Sequence, residues 1–194
     1  MNQKTNNKIK NKKKEKIKNK MKEKLKNKIR KAVFVVIYFK ENKENKRSKE
    51  NENNNKNNQI KYLILKRKLH WKGLEFLKGG IEKKEKINPA ILREVKEETG
   101  QIPRDIHKYF IFGKYKYPKK YKDRRGISGQ SYSLFSAEIN SKKIKIDKLE
   151  HSNYKFVSYE SALKYLTWPN QRKCLKIVNK RLSKNSEITP SQNI

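Results

Sequence analysis

Glu94, Glu97 and Glu98 crowd three carboxylates into five residues of a chain that has only 19 acidic residues in 194. They close the stretch from Gly79 to Gly100, GGIEKKEKINPAILREVKEETG, which holds five of those 19. Asn88 reads as an N-cap, Pro89 suits the first helical position, and Gly100 can end a helix in the left-handed conformation. On an ideal helix, taking Glu94 as zero, Glu97 falls at about 300° and Glu98 at about 40°, so the three acids share an arc of about 100°. Ile91, Leu92, Val95 and Thr99 form the adjoining apolar face. Ala90 lies between the carboxylates and leaves room for an ion or a phosphate oxygen, and Arg93 flanks them. Like charges this close raise one another's pKa unless something positive compensates. A hard divalent cation such as Mg²⁺ or Mn²⁺ is suited to such oxygen ligands. The alternative is a solvated acidic face paired with surrounding lysines.

The elements that must position this segment are set against an unusual composition. Lys and Arg number 53, giving a net charge of +34, and 37% of residues are charged against 33% apolar. Spread evenly, that composition would predict disorder, but the apolar residues are clustered. Residues 1–31 carry 15 Lys or Arg and 2 Glu and read as a basic low-complexity tail. Ile17, Met21, Leu25 and Ile29 recur every fourth position, as on a basic amphipathic helix that could lie on RNA or an anionic surface. A plain compositional bias toward Lys, Asn and Ile is the preferred reading of the tail. Residues 41–59 form a second low-complexity stretch, a long surface loop. The domain therefore spans 32–184, with a flexible C-terminus at 185–194.

Within it, strands are predicted at Ala32–Phe39, Ile60–Leu65, Tyr109–Tyr115, Ser131–Ile139 and Tyr154–Val157. Helices are predicted at Pro89–Glu98, Tyr159–Leu166 and Pro169–Leu182. Their alternation predicts an α/β or α+β domain. The longest apolar run, Ala32–Phe39, is far short of the roughly 20 residues of a membrane-spanning helix. Cys174 is the one cysteine, so neither an intrachain disulfide nor a multi-cysteine zinc site is expected. The N-terminus lacks the apolar core of a secretory signal, and a cytoplasmic location is the expectation.

The wider spacing around the acids resembles a known motif. Gly79, five residues, Glu85, seven residues, then Arg93-Glu94-Val95-Lys96-Glu97-Glu98-Thr99-Gly100 resembles the Nudix box of the Nudix hydrolase superfamily. Every fixed Gly, Glu and Arg of that box is present, and only its final bulky aliphatic position departs, being Gln101. The resemblance implies an α/β/α sandwich with a mixed β-sheet and a loop-helix-loop catalytic motif. It implies hydrolysis of a nucleoside diphosphate linked to another group, by attack of a metal-activated water on phosphorus. Gly79, Glu94, Glu97 and Glu98 then stand as metal ligands, Glu94 also as a candidate base, and Arg93 and Glu85 as orienting residues.

Three flanking stretches are similar to one branch of that superfamily. Trp71–Lys78, WKGLEFLK, resembles the W-x-x-PKG stretch of diadenosine tetraphosphate hydrolases, with Leu77 in place of proline. Glu150–Phe156 and Ala162–Arg172 resemble that branch's E-H-x-x-Y-x-W strand and following helices, which also occur in small nucleotide or pterin triphosphate pyrophosphatases. Glu150 is thus a candidate extra carboxylate. Lys66, Arg67 and Lys78 are candidate phosphate contacts, and Tyr132 a candidate base-stacking residue. Gly126–Phe135 is loosely similar to a region of RNA 5′ pyrophosphohydrolases, and RNA held through the basic tail is a rival partner. The preferred substrate is diadenosine tetraphosphate or a related nucleoside polyphosphate. A non-catalytic, basic nucleotide- or RNA-binding module is the alternative of another class. Oligomeric state is not legible.

Overall fold

The computed structural model describes residues 13–19, 28–41 and 59–187. Seven strands are β1 (Lys28–Glu41), β2 (Gln59–Arg67), β3 (Gly73–Glu75), β4 (Leu77–Gly80), β5 (Arg104–Lys116), β6 (Ile127–Glu138) and β7 (His151–Val157). The main helices are α1 (Ile87–Thr99), α2 (Tyr159–Tyr165) and α3 (Pro169–Glu187). Residues 13–19 are also helical, and a 3-10 turn occupies Lys122–Arg124. The strands form one mixed sheet in the order β3-β2-β1-β6-β5, with β4 paired to β1 and β7 paired to β2.

The chain divides into two compact units. One comprises Met1–Ala32 and Phe112–Tyr132, the other Val33–Ile111 and Ser133–Ile194. In the first, Arg30 Nε donates to Gln130 Oε1 at 3.2 Å and the Tyr117 hydroxyl to the same oxygen at 3.0 Å. The second unit contains the whole candidate site. Its central strand β1 is buried on both faces from Val33 to Tyr38, as a continuous β-branched and aromatic run demands. Val33, Val35 and Ile37 join Leu63, Leu65, Phe135 and Ala137 in a core against Ile91 and Val95 of α1. The alternate residues face the other way: Tyr62 donates to Asn179 of α3 at 2.6 Å, and Phe34 packs edge-on against Phe76 with ring centroids 5.4 Å apart. Helices thus cover both faces, giving the α/β/α sandwich.

Several boundaries differ from expectation. The tail ends earlier than residue 31, because Lys28 already begins β1. Ile29 consequently sits in a strand, while Ile17 is helical and exposed; Met21 and Leu25 lie outside the described residues. The expected loop interior, 42–58, also lies outside them. Strands β3 and β4 are too short to leave a periodic signal. Helix α3 continues to Glu187, beyond the expected end at Leu182. Helix α1 begins at Ile87 with Lys86 as its N-cap, and no side chain caps it, so Pro89 occupies its first turn rather than its first position. There the absent N–H would have had no partner in the helix anyway. Its end is at Gly100, in the left-handed conformation at φ 72°, with Gly100 N–H donating to Lys96 O at 2.8 Å. Leu92 is exposed at 42%, whereas Ala90 is fully buried, so the apolar face is rotated relative to the expected one. No helix among the described residues is long and apolar enough to cross a membrane.

Ile91 is the point at which α1 is pinned to the sheet, with none of its side chain exposed. Ile91→Ala should lower the unfolding free energy by about 2–5 kcal/mol, read by urea denaturation. A loss under 1 kcal/mol would mean that α1 is not held through this contact.

Candidate active site

The antiparallel registers build the site from below. Leu65 of β2 stands opposite Glu75 of β3 and Tyr154 of β7. A bulge then shifts the β2–β7 pairing between Lys66 and Arg67, so that Arg67 faces His151. Three charged side chains are thereby collected under the inner face of the sheet. Arg67 is 6% exposed, Glu75 1% and His151 2%.

Such burial is tolerable only if charges are paired. The Arg67 guanidinium lies 3.4 Å from Glu75 and 2.5 Å from Glu150, and Nε donates to Leu69 O at 3.1 Å. Lys78 forms an ion pair with Glu75 and lies over the Trp71 ring at 5.1 Å. His151 Nε2 is 3.5 Å from Glu75, and its Nδ1 is 2.8 Å from Glu98 at the end of α1. With the imidazole protonated, three cations face three carboxylates. Burial alone would lower the His151 pKa, but the bonds to Glu75 and Glu98 override it and raise it to about 9. Burial likewise works to raise Glu75, while Lys78, His151 and Arg67 hold it below the usual carboxylate range.

Above this buried layer, Arg93 organises the loop before α1 and the helix itself. Its Nε and Nη2 meet both oxygens of Glu85 at 2.9 and 3.0 Å, a two-pronged fork. Nη2 also donates to Gly80 O at 2.8 Å. Nη1 donates to Glu94 at 2.9 Å and to Glu97 at 3.1 Å. Glu85 in turn accepts the Glu82 N–H at 2.8 Å, closing the loop. The Glu94 carboxyl is pressed against Gly79: a Cβ on that glycine would fall 2.0 Å from Glu94 Cδ. Burial there lifts the Glu94 pKa to about 7 against the opposing pull of Arg93.

The candidate residues therefore separate. Gly79, Glu85, Arg93, Glu94 and Glu97 come together. Glu98, at about 40° on the helical wheel and next to the apolar arc, is drawn inward to 4% exposure and bonds His151. Arg67 and Lys78 are taken up by carboxylates and are not open phosphate contacts. Glu150, one-third exposed, belongs to the same network through Arg67. Lys66 points to the opposite side of β2 from Arg67 and is exposed. Tyr132, in the other unit, is 8% exposed with its ring filling the space beside Gly113, so it is packed rather than presented for stacking. Glu75 and His151 were not among the candidates. A glutamate set between Leu74 and Phe76 was the available signal for the first, since an acid in an apolar strand implies a buried partner.

Among the described residues, no three His, Cys, Asp or Glu side chains form a ready-made ligand set for a metal ion. The donor chemistry nevertheless fits a hard divalent cation. Glu94 and Glu97 already share one positive nitrogen between them, and the missing Cβ of Gly79 provides the room in which Glu94 sits. All of these donors are oxygens. Gln101, at the aliphatic position of the motif, exits the helix by hydrogen bonding: its amide nitrogen donates to Ser141 O at 2.8 Å and its oxygen accepts from the Asn140 and Ser141 N–H groups at 3.2 Å.

Comparison with known proteins agrees with this architecture. A profile of the NUDIX domain family matches residues 53–176. An RNA pyrophosphohydrolase from Nitratiruptor sp. is 35% identical over 99 residues, covering 48% of this chain and 64% of that protein. This chain thus matches less than two thirds of that relative's length. Among solved structures, a NUDIX hydrolase from Listeria monocytogenes superposes with a TM-score of 0.60 at 22% identity, covering 80% of this chain and 95% of that one. An Ap4A hydrolase from C. elegans, in a binary complex, gives 0.58 at 20% identity over 80% of this chain and 99% of that one.

The raised His151 pKa has a consequence for stability in protein stripped of divalent ions. The imidazole binds its proton more tightly folded than unfolded, so the stabilisation is complete below the ordinary value of 6.5 and is lost as pH rises through about 9. Urea unfolding in EDTA should show wild type losing stability across that window relative to His151→Gln. Parallel pH profiles would show that His151 is not charged in the fold.

Proposed function

Since the chain belongs to the NUDIX domain family, we propose that it is a divalent-metal-dependent pyrophosphohydrolase, cleaving a nucleoside diphosphate linked to a further group. The observation that carries this reading is the Glu94–Arg93–Glu97 bridge seated on Gly79. Gly79, Glu94 and Glu97 would hold Mg²⁺ or Mn²⁺, and Glu98 would join them only by leaving its contact with His151. When bound, the cation would neutralise pyrophosphate charge and acidify a water.

The chain's own groups supply the rest. Arg93 fixes the directions of two carboxylates at once, so little reorganisation is needed when substrate arrives. Burial lifts the Glu94 pKa to about 7 in the metal-free protein, and a cation held beside it would keep the carboxylate ionised, the form a base needs. His151 ties the end of α1 to β3, and Arg67 holds Glu150 over the same layer. Lys66, exposed on β2, is the strongest remaining candidate for a phosphate contact.

For the substrate, diadenosine tetraphosphate or a related nucleoside polyphosphate is preferred. Trp71 packs edge-on against Trp168 with centroids 5.3 Å apart, and Leu74 exchanges hydrogen bonds of 2.9 and 3.0 Å with Thr167. Two of the stretches similar to the tetraphosphate hydrolase branch, Trp71–Lys78 and Ala162–Arg172, thus form one substructure. The RNA pyrophosphohydrolase relative favours a second reading, in which a 5′-triphosphorylated RNA end is the substrate.

Purified protein with Mg²⁺ should convert diadenosine tetraphosphate to ATP and AMP. Activity confined to triphosphorylated RNA would select the second reading, and no turnover of either, or of NTPs, dNTPs or ADP-ribose, would overturn both. Glu97→Gln, at a side chain 56% exposed, should leave thermal stability unchanged. Its loss of turnover should exceed the roughly 10- to 100-fold typical of residues that only support a metal ligand. Gly79→Ala should also depress turnover, because its methyl group needs the place of the Glu94 carboxyl; a fully active variant would show that this contact is dispensable.

A further inference from the structure

On the face of the sheet opposite α1, strand β5 and helix α3 border an open, shallow cleft of about 350 Å³ lined by His107, Tyr109, Ile177, Lys180, Arg181 and Lys184. The lining contains three permanent cations and no carboxylate. Lys180 and Lys184 are exposed and one helical turn apart, so both ammonium groups share the cleft's edge. Arg181, half-buried, lies against the Tyr109 phenol, and burial together with the Arg181 charge lowers the His107 pKa. Its Nη1 is buried with no hydrogen-bond partner among the described residues. Asp105, whose charge is also felt at His107 and Tyr109, is taken up by the Tyr38 hydroxyl at 2.6 Å.

Arg181 adds a half-buried positive charge to the cleft wall beside the two exposed ammonium groups. Arg181 and the two lysines supply charge for phosphate oxygens. His107 and Tyr109, packed edge-on at 4.8 Å, and Ile177 give the cleft an aromatic and apolar floor. Nothing in the proposed catalysis uses these residues, and α1 lies on the other face of the sheet.

We infer that the cleft between β5 and α3 is a second phosphate-binding site, which takes phosphate groups of a nucleic-acid chain or of a free polyphosphate. The two sources present the same chemistry to Arg181, Lys180 and Lys184, and binding measurements separate them. The probes are a fluorescent single-stranded RNA with a 5′ hydroxyl, which offers no terminal pyrophosphate to the Nudix box, and inorganic tripolyphosphate. They are tested on the full chain without divalent cations.

In the double variant Lys180→Glu/Lys184→Glu, RNA affinity should fall on the order of tenfold, and the slope of log affinity against log salt should shrink by about 2. Arg181→Met should weaken binding in the same direction, while circular dichroism checks that it folds. The charge-matched control Lys119→Glu/Lys120→Glu, at exposed positions in the other unit, should have a smaller effect. Loss of RNA binding identifies a nucleic-acid chain as the ligand; loss confined to tripolyphosphate identifies a free polyphosphate. Equal losses in the control and the cleft variants, or no loss with either probe, would overturn the site.

Discussion

The guanidinium of Arg93 is the contact on which the site's geometry depends. It holds Glu85 by a two-pronged fork, caps the carbonyl of Gly80 and reaches Glu94 and Glu97 with its remaining nitrogen. A lysine could satisfy one or two of these groups but not all, because only a planar fork presents several donors in fixed directions. Loop, strand β4 and helix α1 are thereby referred to one rigid cation. The positive charge also makes it tolerable for two carboxylates to sit a turn apart at the edge of an apolar face.

A second charged layer lies beneath. Arg67, Lys78 and His151 balance Glu75, Glu98 and Glu150, and of these Arg67, His151, Glu75 and Glu98 are nearly inaccessible to solvent. Removing one partner from such a network leaves a buried charge uncompensated, at a cost of about 3–5 kcal/mol. Its service is geometric: Glu98 is fixed to β3 through one imidazole, so the C-terminal end of α1 cannot slide along the sheet without breaking a buried pair.

How much of this was legible in the sequence differs from residue to residue. The Gly79-to-Gly100 spacing pointed to the helix and to the acids it carries, because local spacing determines what one helix face presents. The α/β architecture followed from alternating strands and helices. Arg67 and Lys78 are candidate phosphate contacts in the sequence, whereas their engagement by Glu75 arises through strand pairing, which local spacing does not carry. Glu98 was grouped with its neighbours because the helical wheel places it at the edge of the acid arc; tertiary packing turns it inward. The packing of Tyr132 is illegible for a related reason: whether a strand aromatic is exposed depends on the residue beside it, here Gly113, and not on its own position.

The bulge in the β2–β7 pairing adds a different kind of information. Opposed residues in a regular antiparallel ladder share a face, and Leu63, Leu65 and Arg67 mark the inner one. Without the shift, Ser152 would stand opposite Arg67 and the imidazole would point to the outer face. The bulge restores His151 to the inner side. The contact between His151 and Glu98 is therefore encoded by a residue count as much as by residue identity. Loss of one residue from this corner would reverse the facing of an otherwise unchanged histidine, so two sequences alike at every charged position could differ in whether the network exists.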